Sequence, residues 1–356
     1  MAQSYPMVSG DGAHSYAKNS TLQRRVVDAA KELIYEAISD KLDLKLLKFD
    51  ASNTFQIADL GCSIGPNTFI AVQNIIEAVE LKLLQPDHQN ISSIEFQVLF
   101  NDHYDNDFNT LFKSLPHSRK YFAAGVPGSF HNRLFPKATL HFVHSSYSLH
   151  WLSKVPKELV DQNSPLWNKE SARRRRFVKE VAEAYSGQFK NDMESFLNAR
   201  AQELVPGGLM VITIHAIPDG IPFSQTGPGV LADVLGSCLV DLAKMGVFSE
   251  EKVDSFNSPT HTTTPKELKA IIQRNENFTI ERMEKLNRPV GHIKFSAKIY
   301  TLGVRAVFEG LIKEHFGEEL VEQIFNYFRT KAEENASIIE NTHNMIDLFL
   351  LLKRTI

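Results

Sequence analysis

The sequence predicts an α/β fold: a mainly parallel, open sheet with helices on both faces and a helical cap. Three observations predict it. Short apolar runs recur at FQIADL (55–60), IEFQVLFN (94–101), LHFVH (140–144) and LMVITI (209–214). The intervals between them leave room for a helix each time, which is the pattern of strand–helix alternation. The stretches 155–205, 220–275 and 290–340 are mostly helical in pattern and too long to be connections, so they predict a cap over the sheet.

The elements follow in order. Residues 20–41 repeat Leu22, Val26, Ala30, Leu33, Ile34, Ala37 and Ile38 at helical spacing behind Ser20, a candidate N-cap. After the first strand, ADLGCSIGPNT (58–68) is a strand-to-helix turn that leads into FIAVQNIIEAV. Pro206 to Gly208 is a turn feeding the fourth strand, and FTIERMEKL (278–286) and MIDLFLLLK (345–353) read as late strands. The last is apolar enough to lie centrally or to run antiparallel beside the sheet. One unit thus spans 1–356, with its sheet core mainly in 45–150, 205–215, 278–286 and 345–356.

Composition excludes several classes. With 356 residues, 43% hydrophobic and 10% aromatic, the chain can bury a large core. A formal net charge of -3 and a single local basic run, Arg173 to Arg176, argue against a nucleic-acid partner. Two cysteines, Cys62 and Cys238, cannot make a disulfide framework. The start MAQSYPMVSG lacks a basic region followed by an apolar one, and no uncharged apolar stretch is long enough to cross a bilayer. The expected compartment is the cytoplasm.

In open α/β sheets the ligand lies beyond the carboxyl ends of the strands. There the first turn carries Asp59, then Gly61 and Gly65, then Pro66 and Asn67. The spacing is G-x-x-x-G, with an acid before it and no phosphate-binding lysine, which favours a ligand whose polar part is an amino acid. A plain glycine-containing turn is the competing reading. The second strand ends at Asn101-Asp102; an acid at that tip can accept both hydroxyls of a ribose, or simply cap the next helix. The loop GVPGSF (125–130) offers Ser129 as a hydrogen-bonding group and Phe130 as a face for a base. Asp59, Asp102 and Phe130 together describe a nucleoside joined to an amino acid, S-adenosylmethionine. Farther on, SSYSLHWLS (145–153) gathers Tyr147, His150 and Trp151 where the third of these strands runs out.

SYAKNS, DLGCSIGPNT, FNDHYDNDFNTLF, GVPGSFHNRLFP, SSYSLHWLS and NARAQELVPGG, in that order, resemble the plant SABATH family of S-adenosylmethionine-dependent methyltransferases. The resemblance runs essentially end to end and implies a Rossmann-like sheet of class I methyltransferase type, a small carboxylic acid as acceptor, and a homodimer. It places the methionyl end of the cofactor near Tyr16, Asp59, Cys62 and Asn67, the ribose on Asp102 with His103 alongside, and adenine against Ser129 and Phe130. It assigns Gln23, Tyr147, His150 and Trp151 to the acceptor carboxylate. Gln23 also stands third after Ser20, so S-T-L-Q could be a capping box, and Trp151 could be core. Acceptor-facing positions on the resemblance include His215, Ile217, Leu231, Ala232, Thr260, His261 and Phe308.

No motif pairs a catalytic base with an orienting acid. A carboxylic acid of pKa roughly 4 is already ionised at neutral pH, so it needs orientation rather than deprotonation. Some relatives methylate purine nitrogens, where a base would be needed, and a protein that binds the cofactor or an acid without transferring methyl is a further alternative. Some relatives also hold magnesium, through residues matched here by Asn168, Asp254, Phe256 and Asn257; a structural or absent metal is the competing reading. The chain departs from the family after Asn168-Lys169, where Glu170 and SARRRR follow. Motifs around PMVSGDGAHSYAKNS and FNDHYDNDF lie nearer the branch that esterifies terpenoid acids than the benzoate and salicylate branch.

Overall fold

The computed structural model describes residues 5–47, 53–86, 94–167, 178–287, 295–342 and 344–356. A short helix α1 (Tyr16–Asn19) and the long α2 (Thr21–Lys41) precede the sheet. Then β1 (Thr54–Leu60), α3 (Pro66–Leu83), β2 (Glu95–Asp102), α4 (Phe108–Lys113), β3 (Phe122–Pro127), β4 (Leu140–Ser146), α5 (Lys179–Glu203) and β5 (Leu204–Ala216) follow. The chain continues through α6 (Gly227–Lys244), α7 (Glu250–Ser255), α8 (Pro265–Gln273), β6 (Phe278–Lys285), α9 (Ala297–Phe316), α10 (Val321–Glu334), α11 (Ala336–Asn341) and β7 (Ile346–Arg354).

The strands form one sheet of seven in the order β3-β2-β1-β4-β5-β7-β6. β1 to β5 pair in parallel, and β7 runs antiparallel between β5 and β6. β4 and β7 are buried almost throughout, because helices cover both faces; that is why they read as unbroken apolar runs rather than alternating ones. Strand order reverses between β1 and β4, so the chain leaves these two neighbours in opposite directions and opens a crevice at their carboxyl ends.

α2 and α3 cover one face, where Val26, Ile34 and Ile38 pack with Val72, Ile75, Phe55 and Ile57. On the other face α5 contributes Val181, Tyr185, Phe189, Met193, Phe196 and Leu197 to a core shared with Leu140, Met210 and Leu350. The stretch 155–205 is expected mainly in the cap, whereas α5 covers the sheet: two adjacent parallel strands, β4 and β5, need a crossover, and α5 is the helix that packs it back on the sheet. α8 joins the same core through Leu268, Ile271 and Ile272. The cap is α6, α7, α9 and α10, around a separate cluster that includes Leu235, Leu239, Val253, Ile312, Phe316 and Phe328.

β3 was not anticipated as a strand. It is an edge strand whose first residue, Phe122, is 60% exposed, so FAAGVP lacks the apolar run that marks the interior strands. Ser20 does precede α2, but its side chain makes no capping hydrogen bond. The S-T-L-Q capping box is therefore not formed.

Candidate active site

The site is built on the crevice between β1 and β4. Beyond β1 the chain turns at Gly61, with φ +80°. A Cβ there would meet Ser148 Oγ at 2.1 Å, so both the backbone angle and the close approach of Ser148 require glycine. Ser63, also left-handed at φ +51°, donates its N–H to Asp102 Oδ2 at 2.7 Å. The N–H of His103 donates to Asp102 Oδ1 at 2.8 Å. One carboxylate thus ties the tips of β1 and β2 together while retaining lone pairs for a ligand, since a carboxylate offers about four acceptor positions. Burial raises the pKa of Asp102, and these two amides pull against it.

Asp59 is buried and oriented from both sides. His144 Nδ1 lies 2.7 Å from its Oδ1, and the Thr68 hydroxyl donates to its Oδ2. Asp59, Gly61, Cys62, Asn67 and His144 line a narrow cleft of about 30 Å³ with Tyr16 and Gln23. Burial, then Asp102 and Asp59, raise the Cys62 thiol well above its ordinary pKa, so Cys62 is a neutral lining group rather than a nucleophile. The Tyr16 phenol is raised in the same way by burial and the same two carboxylates. Asn67 donates its amide to Ser20 Oγ at 3.0 Å, which pins the start of α3 to the start of α2. This is where the hydroxyl expected to cap α2 is engaged.

The loop after β3 closes the other side. Gly128 N–H donates to Asp102 O at 2.8 Å, and the Asn101 amide donates to Val126 O at 2.7 Å and Gly128 O at 2.9 Å. Asn101 is fully buried; it shapes this loop although the sequence directs attention to its neighbour Asp102. Phe130 is buried with its ring centre 6.4 Å from that of His103, and Ser129 beside it is half-buried. The three positions expected around a nucleoside, Asp102, Ser129 and Phe130, are therefore brought to one place.

At the end of β4, Tyr147 takes a left-handed conformation at φ +55°. The sharp turn releases Tyr147, His150 and Trp151 from the sheet on one side. The Tyr147 hydroxyl donates to the buried Asp347 on β7, and its N–H to Thr213 O at 2.9 Å. Residues 150–152 are zipped to the segment before α8: His261 N–H donates to His150 O at 2.9 Å, Leu152 N–H to Pro259 O at 2.7 Å, and Trp151 bridges Thr260.

Together these elements enclose a second cavity of about 390 Å³. Tyr147, His150, Trp151, His215, Leu231, Ala232, Thr260 and Phe308 line it, as do Tyr16 and Gln23. Tyr16 and Gln23 therefore stand where the two cavities meet. Among the described residues neither lining includes a lysine or arginine. His261, expected in this wall, faces away: its Nε2 lies 2.9 Å from Glu267 Oε2 and its ring packs 4.8 Å from Phe189. The reason is extended backbone, in which Thr260 and Thr262 point into the cavity and the residue between them points out. Ile217, one position beyond β5, is buried outside the lining.

Of the four positions matched to a magnesium site, Asn168 lies outside the described residues. Asp254 lies in the last turn of the short helix α7, the Phe256 ring packs tilted against Phe316 at 5.4 Å, and Asn257 donates its amide to Ser255 O at 3.3 Å. Phe256 and Asn257 line the second cavity. Among the described residues no group of three or more His, Cys, Asp or Glu could hold a metal. Asp254, Phe256 and Asn257 offer one carboxylate, one carbonyl and one amide oxygen, hard donors to which magnesium would add waters.

The donor set does fit S-adenosylmethionine. A buried Asp59 and a half-buried Asp102 stand at the tips of adjacent strands near the Tyr16 phenol, with no cationic side chain among the described lining residues, an arrangement suited to ribose hydroxyls and a cationic group. The strand order and this crevice define a methyltransferase of Rossmann-like fold, in which the narrow cleft meets the larger cavity at Tyr16 and Gln23. The model of the family described as SAM dependent carboxyl methyltransferase matches residues 2–355, and the chain belongs to that family. It is 48% identical to a loganic acid O-methyltransferase of Catharanthus roseus over 356 residues, 99% of this chain and 95% of that one. It is 43% identical to a farnesoic acid carboxyl-O-methyltransferase of Arabidopsis thaliana over 354 residues, 99% of this chain and 100% of the other. A solved structure described as loganic acid methyltransferase with SAH has a TM-score of 0.91 at 47% identity, covering 98% of this chain and 99% of its own. The protein is an enzyme that uses S-adenosylmethionine to methylate the carboxylate of a small acid of specialised metabolism. No helix among the described residues is long and apolar enough to cross a membrane.

Proposed function

We propose that the acceptor is a terpenoid acid whose carboxylate is held between the Gln23 amide and the Trp151 indole N–H. The observation that carries this reading is the sharing of Tyr16 and Gln23 by the two cavities, which makes their junction the place where methyl donor and acceptor meet. On this reading Asp102 takes the ribose hydroxyls, Ser129 and Phe130 the base, and Tyr16, Asp59, Cys62 and Asn67 surround the methionyl end. Bound there, S-adenosylmethionine supplies the methyl group as an electrophilic sulfonium.

The acceptor cavity then does three things. Gln23 and Trp151 donate to one carboxylate oxygen and leave the other aimed at the junction. Tyr147, His150 and His215 exclude water, which would otherwise stabilise the separated charges that vanish as a neutral ester and thioether form. Among the described residues no guanidinium or ammonium lines this cavity; such a partner would stabilise the ionised ground state more than the transition state and slow the attack. A purine nitrogen would need a base, and burial followed by the neighbouring His215 holds His150 well below an ordinary imidazole, which makes it a poor one.

Size and lining support a bulky acid. A volume of about 390 Å³ suits a small-molecule site. Gly227, Ala232 and Gly236 on α6 leave room, while Leu235, Leu239, Val307 and Phe308 supply apolar wall. The protein is further read as a cytoplasmic homodimer: its two cysteines are free and buried, in keeping with a reducing compartment, and the dimer rests on the family resemblance. Transfer of radiolabelled methyl to loganic, farnesoic, salicylic and benzoic acids and to a xanthine tests the reading. Terpenoid acids should be turned over best; equal or better transfer to a purine nitrogen would overturn it.

A further inference from the structure

The motif NARAQELVPGG includes two residues with no part in the cavities. Arg200 and Glu203, one turn apart at the end of α5, are both 0% exposed and pair through Arg200 Nε and Glu203 Oε2 at 2.7 Å. Among the described residues, the other hydrogen bonds their side chains make go to the loop after β3. Arg200 Nη1 donates to Phe130 O at 2.8 Å and Nη2 to Asn132 O at 2.9 Å. Glu203 Oε1 accepts the N–H of Leu134 at 2.5 Å and of Phe135 at 3.0 Å. The guanidinium also lies 5.2 Å from the centre of the Phe196 ring, which meets Phe130 edge-on at 6.4 Å.

Four backbone groups of an irregular, partly exposed loop are thus satisfied by one buried ion pair rather than by strand or helix. A buried ion pair is poor value for stability, because desolvating both charges offsets most of their attraction. The planar guanidinium, with three nitrogens directed at Glu203, Phe130 O and Asn132 O, is instead well suited to fixing a shape. What it fixes is the backbone directly beneath Phe130.

We infer that Arg200 and Glu203 are positioning residues that hold the 130–135 loop in the conformation that receives the adenosyl half of the methyl donor. The inference rests on the assignment of Ser129 and Phe130 to the base. It separates the two halves of the site: loosening this clamp weakens cofactor binding and leaves the acceptor side, built on β4, α6 and α9, unchanged.

The test uses the full-length enzyme with Arg200→Lys and Glu203→Gln. Lysine keeps the charge but cannot reach Phe130 O and Asn132 O together; glutamine keeps an acceptor for the loop amides but breaks the ion pair. Calorimetric Kd for S-adenosylhomocysteine and KM for S-adenosylmethionine should rise by roughly tenfold or more, with acceptor KM and kcat at saturating cofactor within about twofold of wild type. Unchanged cofactor affinity in either soluble variant, or an equal rise in cofactor and acceptor KM, would overturn the inference. Wild-type hydrogen exchange supplies a readout that needs no variant: the amides of Leu134 and Phe135 should be protected before any cofactor is added, and their exchange at the rate of free loops would likewise refute a pre-formed clamp. Asp102→Ala serves as control, since loss of affinity there with none in the clamp variants refutes this inference alone, whereas no loss in Asp102→Ala refutes the assignment of the nucleoside site.

Discussion

The rings of His150 and His215 face each other in the acceptor cavity, with centres 4.2 Å apart and planes tilted by 58°. Burial, and then His261, push His215 down to about 4, and burial followed by His215 lowers His150 well below its usual value. Both are neutral at pH 7. A histidine whose folded pKa is depressed binds fewer protons folded than unfolded between the two values, so stability is full above about 6.5 and declines as pH falls toward 4. Thermal melts from pH 7 to pH 4 should show this loss, at most about 3 kcal/mol from His215, and His215→Asn should flatten it. An unchanged slope in that variant would place the titration elsewhere.

The same neutrality bears on the reaction. With a pre-formed carboxylate as nucleophile, log kcat/KM should be nearly flat from about pH 6.5 to 8. His150→Asn should lower the rate without adding a pH slope, and the alcohol or amide analogue of the acceptor should bind without being methylated. A unit slope that disappears in His150→Asn would identify the histidine as a base.

Asp102 accepts two backbone amides and, on the proposed reading, two ribose hydroxyls. Asp102→Ala should reduce affinity for S-adenosylhomocysteine by a hundredfold or more, at about 1.5 to 3 kcal/mol per charge-assisted hydrogen bond. Calorimetry reads this directly.

Trp151 lines the acceptor cavity alone, whereas Gln23 lines both cavities. Trp151→Phe should cost on the order of tenfold to a hundredfold in kcat/KM and leave cofactor affinity within about twofold. Gln23→Ala should cost a similar factor in turnover. Because Ser20 makes no side-chain cap, Gln23→Ala should change stability by no more than about 0.5 kcal/mol; a drop of several degrees in Tm would restore the capping-box interpretation.

Ala232 is a small residue of α6 in the acceptor wall. Ala232→Leu should shift preference from bulky terpenoid acids toward benzoate-sized acids by roughly 10- to 100-fold, the scale of a few methylenes in an apolar pocket. Competition assays with paired acids measure that ratio without depending on enzyme concentration.

The sequence by itself determined the alternation of strands and helices and the acids at the strand tips, Asp59 and Asp102. Both follow from local rules, since burial on two faces makes interior strands apolar from end to end and Gly61 is the residue that can turn left-handed against Ser148. The family motifs also single out Gln23, Tyr147, His150 and Trp151, which the fold brings to one cavity. What only the tertiary structure decided depends on segments far apart in the chain. β3 is a strand because β2 offers it an edge, α5 covers the sheet because parallel β4 and β5 need a crossover, and His261 points away because the segment it occupies pairs with residues 150–152. Local pattern fixes which residues can be buried; the order of strands and the packing of distant segments fix which of them meet in a cavity.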